Sequence, residues 1–513
     1  MDAASDRAAW QRARQSRDPR FDGRFFIGVI TTGIYCRPIC PARTARESNV
    51  RYFPSAAAAA EAGFRPCLRC RPEVAPGTPA WNGTSATVRR AWRLIDEAVS
   101  GELPIDTLAE RLGIGSRHLR RLFDQHLGAS PLAVLQTRRL HFAKQLVDGT
   151  ALPFTTIALA SGFGSIRRFN AAFKQAWGRT PTALRRSATP GDDVPSPIRF
   201  RLGYRPPYDW DTMLRFLERR AVSGLEAVID GHYRRTVLVR GQGGVIDVSH
   251  EAARRVLNVE IVHADPQAVY SILRRVRVMF DVDADPQAIR SHLASDPLLR
   301  LRVRARPGLR LPGAWDPFEL AVRAIVGQQA SVAGAAALVT RLTRMFGTPL
   351  AAEGEDLLWT FPDATVLADA PLEQAGLTRR RAAAVRVLAS SVARGDLVFA
   401  EDEPSGALVD RLCSLPGIGP WTAQYVAMRG LSDPDAFPLG DLGLRRATLL
   451  SDRALGERSE RWRPWRAYAA MYLWTETSHD SIHHHRQSGR IAAPRTRRER
   501  TLRTSVRRRP SAG

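Results

Sequence analysis

The hydrophobic pattern of this 513-residue chain changes character several times along its length. From Thr87 to about Arg186 the apolar positions recur at helical spacing, in two similar units. The first runs Ile105–Gly113, a turn, then Ser116–Leu127; the second runs Thr156–Gly162, a turn, then Ser165–Trp177. Each reads as helix, glycine turn, Ser N-cap and basic helix, the helix-turn-helix arrangement, although either alone would equally suit a helix pair in a bundle. Over residues 198–305 the pattern shortens to strand lengths. Ile198–Tyr204, Leu225–Val228, Thr236–Arg240, Val245–Val248 and Asn258–Val262 predict strands, and Asp211–Arg220, His250–Val256 and Pro266–Phe280 predict helices. Residues 306–486 return to helical spacing, one helix opening with Asp316 as N-cap and Pro317 at its first position. Pro79–Ser85 and the Pro/Asp/Ser stretch Gly191–Pro197 read as linkers. Residues 487–513 have no periodicity.

Charge then narrows the partner. Seventy-six Lys+Arg against fifty-one Asp+Glu leave +25, so an anionic polymer is the natural ligand. The cations are almost all arginine; the only lysines are Lys144 and Lys174. The tail, 487–513, holds nine arginines and one glutamate and predicts a disordered, DNA-attracting segment. His483–His485 read as a polar helix end or loop rather than a metal site. No run approaches the ~18 apolar residues of a membrane span, and the first residues lack a signal-peptide pattern. A cytoplasmic protein, nucleoid-associated and without membrane partners, is expected.

Four of the five cysteines fall in two close pairs, Cys36-x3-Cys40 and Cys67-x2-Cys70, the spacing tetrahedral Zn²⁺ demands. Far downstream, Leu415-Pro416-Gly417-Ile418-Gly419 sits between helical patterns at Ala407–Cys413 and Trp421–Gly430. Such a turn brings backbone N–H groups to a phosphate with no Cβ in the way, and holds DNA without reading sequence. By itself it fits an ordinary αα-hairpin too. Asp441, in Gly440-Asp441-Leu442-Gly443-Leu444, opens a further helix among small residues. A carboxylate there suits electrostatic stabilisation of a sugar cation, or a simple N-cap.

Taken together, the Leu-Pro-Gly-x-Gly turn, Gly-Asp-Leu-Gly-Leu and the later Trp462-Arg463-Pro464-Trp465-Arg466-Ala467-Tyr468 run resemble the helix-hairpin-helix glycosylases, specifically the bacterial 3-methyladenine DNA glycosylase II family. The resemblance implies Asp441 as the catalytic carboxylate and Trp421, Tyr425 and Trp474 as the pocket for a flipped base. It also implies DNA contacts from Gly417 and Gly419 and a monovalent-cation site at the hairpin. In that family the Val326–Val332 loop carries the residue that fills the gap left by the extruded base; here the aligned position is Gln329, not a bulky apolar wedge. Bifunctional members place a lysine directly after the hairpin, where this chain has Trp421, so the resemblance implies a monofunctional enzyme.

Thr31-Thr32-Gly33-Ile34-Tyr35-Cys36-Arg37-Pro38 and Gly63-Phe64-Arg65-Pro66-Cys67 resemble the N-terminal domain of the Ada-type adaptive-response regulator. That resemblance implies one Zn²⁺ on Cys36, Cys40, Cys67 and Cys70, with Cys36 accepting a methyl group from a DNA methylphosphotriester. Phe169-Asn170-x2-Phe173-Lys174-x3-Gly178-x2-Pro181 resembles the AraC-type signature, which implies DNA contacts from Arg117, Arg120, Arg167 and Arg168. The fifth cysteine, Cys413, lacks the Pro-Cys-His-Arg context of an O6-methylguanine acceptor and is expected in the core.

The expected architecture is multidomain and mainly α. It comprises a small α+β zinc domain over 1–78, an AraC-type tandem helix-turn-helix over 86–188, an α+β glycosylase N-terminal domain over 197–305 with no chemical motif, an all-α helix-hairpin-helix domain over 306–486, and the tail 487–513. The expected function is alkylation repair joined to adaptive-response regulation. Its partners are double-stranded DNA, at alkylated sites and at a promoter, and RNA polymerase. A DNA-binding regulator whose glycosylase half only grips DNA stays open as the alternative. An intact Asp441 with its aromatic set favours the enzyme.

Overall fold

The computed structural model of the chain describes residues 3–76, 86–101, 103–185, 197–350, 356–400 and 405–475. The linker core at 79–85, the tail and His483–His485 lie outside the described residues. Among those described, no helix is long and apolar enough to cross a membrane.

The N-terminal unit is a four-stranded sheet of β1 (Phe26–Val29), β2 (Ile34–Cys36), β3 (Val50–Phe53) and β4 (Arg65–Pro66), in the order β3-β1-β2-β4. The parallel pairing of β2 with β4, Ile34 against Arg65 and Tyr35 against Pro66, places the next residues of both strands, Cys36 and Cys67, side by side. The helix-turn-helix helices follow: Ile105–Arg111 with Ser116–Leu127, and Phe154–Ala160 with Ile166–Trp177. Ser165 caps the second basic helix, accepting from the Arg168 N–H at 3.2 Å. In the first unit the cap is Gly115, not the expected Ser116, whose hydroxyl instead binds the Asp106 carboxylate.

One long helix, Pro131–Gly149, joins the two units and two hydrophobic cores. Its Val134 and Leu135 pack with the zinc-domain residues Phe26, Tyr35 and Phe53 and the first unit. Its Phe142, Leu146 and Val147 pack with the second unit, with Phe200 and Ile261 of the next sheet, and with Met213 of the helix Trp210–Glu218. Polar bonds reinforce the first seat: Tyr35 hydroxyl with His141 Nε2 at 2.9 Å, and Arg71 with Asp148 at 2.7 Å.

The second sheet is wholly antiparallel, β5 (Ile198–Gly203), β6 (Glu226–Ile229), β7 (His232–Val239), β8 (Gln242–Glu251) and β9 (Val256–His263), ordered β5-β9-β8-β7-β6. The helix expected at His250–Val256 is not there. β8 runs through Glu251, a short 3-10 turn covers Ala252–Arg254, and Arg255 reverses the chain at φ 56° into β9. Glu-Ala-Ala-Arg-Arg has helical propensity, but the β8–β9 ladder on either side outweighs it.

The remaining chain is helical. Pro317–Val326, Arg379–Ala393, Ser405–Cys413 and Pro420–Gly430 share one core, to which Leu225 also belongs. Leu293, Leu299 and Val303 pack instead with Leu444, Trp462 and Tyr472 in a further core. Asp316 caps its helix through the Glu319 N–H at 3.0 Å, with Pro317 at the first position. Cys413, expected in the core, is exposed, because Leu408 and Leu412 supply the buried face of its helix.

Candidate active site and metal centre

The hairpin turn is built on two glycines with different tasks. Gly417 adopts φ 86°, and a Cβ there would sit 2.7 Å from the Ala384 Cβ, so both conformation and packing require glycine. A Cβ on Gly419 would meet nothing within 4 Å; this residue caps the helix Pro420–Gly430 and is exposed to solvent. Gln328 locks the turn from the facing loop, donating to the Gly417 carbonyl at 3.0 Å and to Thr422 Oγ1 at 3.2 Å. For the cation expected at the hairpin, the turn offers backbone oxygens, of which the Gly417 oxygen is therefore already engaged. Gln329 is exposed and held at φ 53°, an uncommon conformation for a residue with a side chain.

Beside the turn opens a cleft of about 1120 Å³, lined among others by Gln329, Gly417, Gly419, Trp421, Tyr425, Asp441 and Trp474. Asp441 is the N-cap of the helix Leu442–Thr448. Its Oδ1 accepts from the Leu444 N–H at 2.9 Å and from Trp474 Nε1 at 2.9 Å; its Oδ2 accepts from Trp421 Nε1 at 3.0 Å. Three donors thus fix one carboxylate at the cleft wall. Trp421 lies flat on Tyr425, with centroids 5.4 Å apart and planes 10° from parallel, because the two residues are one turn apart on one helix. Trp474 comes from the helix 466–475 and is tilted 59° to Tyr425.

Sequence reasoning brought Asp441, Trp421, Tyr425 and Trp474 to one site, and the structure brings them together. It adds residues that were missed. Gly443 is one: a Cβ there would lie 2.9 Å from Asp441 Oδ1 and 3.2 Å from Trp474 Cδ1. Arg429 is another, donating to the Tyr425 hydroxyl at 2.7 Å; its i,i+4 spacing from Tyr425 was the available signal. Burial pushes the Tyr425 phenol up, but Arg429 and Arg220 outweigh it and leave it below its ordinary value. The α+β domain, expected to carry no chemistry, supplies Arg220, Glu226 and Arg235 to the cleft lining. Arg235 pairs with Glu319 at 2.9 Å and Glu226 at 3.3 Å, and Arg323 reaches Glu226 at 3.0 Å. This buried network ties β6 and β7 to the helix Pro317–Val326 and fixes the cleft floor, although replacing such pairs by apolar residues is often no less stable.

The helix-turn-helix arginines lie elsewhere: Arg117 and Arg120 are exposed on one basic helix, Arg167 and Arg168 on the other. At the N-terminal end, the sulfurs of Cys36, Cys40, Cys67 and Cys70 all lie within 4.8 Å of one another. A tetrahedron of Zn–S bonds near 2.3 Å needs sulfurs about 3.8 Å apart, so the four thiols fit a single zinc ion. Cys67 and Cys70 are buried, and Cys36 and Cys40 are half-buried. The Arg37 backbone N–H donates to Cys70 Sγ at 3.4 Å.

The fold and these two centres define a helix-hairpin-helix protein fused to tandem helix-turn-helix units and a four-thiol metal domain. Residues 9–73 match the family "Metal binding domain of Ada", residues 108–187 a helix-turn-helix domain, and residues 199–316 the AlkA N-terminal domain. The chain is 41% identical over 477 residues to the probable bifunctional transcriptional activator/DNA repair enzyme AlkA of Mycobacterium tuberculosis, covering 91% of this chain and 96% of that protein. It belongs to that family. DNA-3-methyladenine glycosylase 2 of Escherichia coli is 35% identical over 277 residues, 54% of this chain and 96% of its own. The bifunctional transcriptional activator/DNA repair enzyme Ada of the same organism is 34% identical over 182 residues, 35% of this chain and 49% of its own. Among solved structures, the 3-methyladenine DNA-glycosylase from Archaeoglobus fulgidus matches with TM-score 0.48 and 23% identity, over 54% of this chain and 97% of that one.

Proposed function

We propose that the chain is a DNA-alkylation repair enzyme and transcriptional activator, releasing alkylated purines of the 3-methyladenine type as a monofunctional glycosylase. The observation that carries this is the Asp441 carboxylate, held by three N–H donors at the wall of an aromatic cleft beside a glycine hairpin. A base flipped out of the duplex enters the cleft, where electron-rich rings favour a cationic alkylated purine by about 1–2 kcal/mol. The bond from sugar C1′ to the base nitrogen breaks, its electron pair leaving with the base. The carboxylate stabilises the positive charge on the sugar. Water adds at C1′ and loses a proton. No lysine occurs in residues 187–513, so no Schiff base forms on this half of the chain.

At the N-terminal domain we assign methyl transfer to Cys36, because the Thr31–Pro38 segment around it resembles the Ada-type domain whose first cysteine is the acceptor; its sulfur, like that of Cys40, is half-buried rather than buried. The Arg37 N–H donor withdraws charge from the Cys70 sulfur and blunts its nucleophilicity. Zinc, when bound, keeps the sulfurs ionised. Attack by Cys36 forms the S–CH₃ bond and breaks the O–CH₃ bond of the phosphotriester, whose oxygen leaves as phosphodiester. The exposed arginines of the two basic helices hold the promoter, RNA polymerase is the further partner, and the bacterial cytoplasm, on the nucleoid, is the site of action.

Methylated duplex incubated with the protein tests both assignments. Free alkylated purine and intact abasic sites are expected, with no adduct trapped by borohydride and one methyl on the Cys36 peptide by mass mapping. Strand nicks without alkali, or a methyl on Cys40, Cys67 or Cys70 instead, would overturn the corresponding part.

A further inference from the structure

The helix Arg379–Ala393 begins with three arginines in succession and no acidic residue in its first turn. Cations there oppose the helix dipole, at a cost of about 0.3–1 kcal/mol each, so the fold alone gives no reason for them. Arg381 is used structurally, its guanidinium donating to the Gln328 carbonyl. Arg379 is exposed and lies close enough to Glu373 to help hold its carboxyl down. Arg380 differs: it is exposed, forms no ion pair or hydrogen bond among the described residues, and lines the same cleft as Gly417 and Gly419.

The packing explains why it stands there. Ala384 is the residue against which Gly417 closes, 2.7 Å from where a Gly417 Cβ would be. Arg380 lies one helical turn before Ala384 on the same face, which carries it toward the open end of the hairpin. An unpaired guanidinium thus faces the groove beside a turn whose Gly419 is open to solvent, with Gln328 bridging the two elements. A planar guanidinium next to exposed backbone amides is a combination suited to a phosphate oxygen pair.

We propose that Arg380 and the Gly417–Gly419 turn grip the same DNA phosphate, making Arg380 a positioning residue that seats the strand at the cleft. This rests on the cleft being the place where DNA binds. The clamp acts on DNA affinity and leaves the bond-breaking step to Asp441.

The test is fluorescence anisotropy with the full chain and a short duplex carrying a tetrahydrofuran abasic analogue, which needs no catalysis. Arg117, Arg120, Arg167 and Arg168 are all changed to Ala in the background, so that the helix-turn-helix units contribute little. Across a salt series, Arg380→Ala should weaken binding about 5–10-fold at low salt and make the log Kd against log salt slope shallower by about one. Arg380→Lys should restore most of that slope. An unchanged slope with the duplex still bound would overturn the clamp alone. A background protein that does not bind the duplex at all would overturn the cleft as a DNA site and the clamp with it. A loss that depends on the base opposite the analogue, and not on salt, would also refute the phosphate contact in favour of base reading.

Discussion

Gly443→Ala separates the fold of the cleft from its chemistry. Gly443 is the second residue of the helix Leu442–Thr448, and alanine favours a helix over glycine by up to about 1 kcal/mol. Stability should therefore hold or rise slightly. The added methyl, however, would stand 2.9 Å from Asp441 Oδ1, the oxygen that already takes the Leu444 and Trp474 N–H groups, and 3.2 Å from Trp474 Cδ1. Carbon and oxygen settle at about 3.3 Å or more, so the carboxylate or the indole must move by roughly 0.4 Å. Either shift stretches hydrogen bonds to a charged group worth about 1.5–3 kcal/mol each. A displacement on the order of 1 Å can cost ~10²-fold in rate, so this one should cost about 10–100-fold, or about 1.4–2.7 kcal/mol on the barrier. Single-turnover release of alkylated purine from methylated duplex measures it, with thermal unfolding and duplex affinity as controls. Wild-type release by a folded Gly443→Ala protein would refute the claim that the reaction depends on where Asp441 is held.

Removing zinc from the isolated residues 1–78, or changing Cys67 to Ala, should unfold that domain, since metal binding and folding are one process in so small a unit; a fragment that keeps its circular-dichroism spectrum without metal would contradict the four-thiol centre. Asp281 offers a pH test. Burial pushes its carboxyl up to about 6, with Arg310 and the Leu311 N–H opposing, so its contribution is fully present below the ordinary value of 3.8 and is lost as pH rises through 6. The stability of Asp281→Asn relative to wild type should accordingly improve between pH 4 and 7, and a flat difference across that range would show that the carboxyl is not raised.

What the sequence made legible depended on the range of the physics involved. Local signals carried well. Asp316 with Pro317, Ser165, and the glycines of the hairpin stand where their short-range chemistry predicts, and the observed hairpin helices differ from the predicted ones by two residues or fewer. The convergence of Asp441, Trp421, Tyr425 and Trp474 came through family resemblance, because thirty-three residues separate Asp441 from Trp474 and no periodicity links them. Failures came where a neighbour outweighed a local preference. The β8–β9 ladder extends through residues of helical propensity, and Gly115 displaced Ser116 as a cap while Asp106 took the serine hydroxyl. Cys413 falls on the exposed side of a helix whose leucines were already placed inward. The contribution of the α+β domain to the cleft was invisible for another reason. Arg220, Glu226 and Arg235 form no motif, and only the packing of β6 and β7 on the helix Pro317–Val326 gives them a place at the cleft floor.

The central claim is that the Asp441 carboxylate drives base release. Asparagine at this position keeps the size of the side chain and an oxygen to cap the helix, and removes the charge. Single-turnover release of 3-methyladenine from methylated duplex by Asp441→Asn should fall at least ~10²-fold, with duplex affinity retained. Release at the wild-type rate by a folded, DNA-bound Asp441→Asn protein would contradict it.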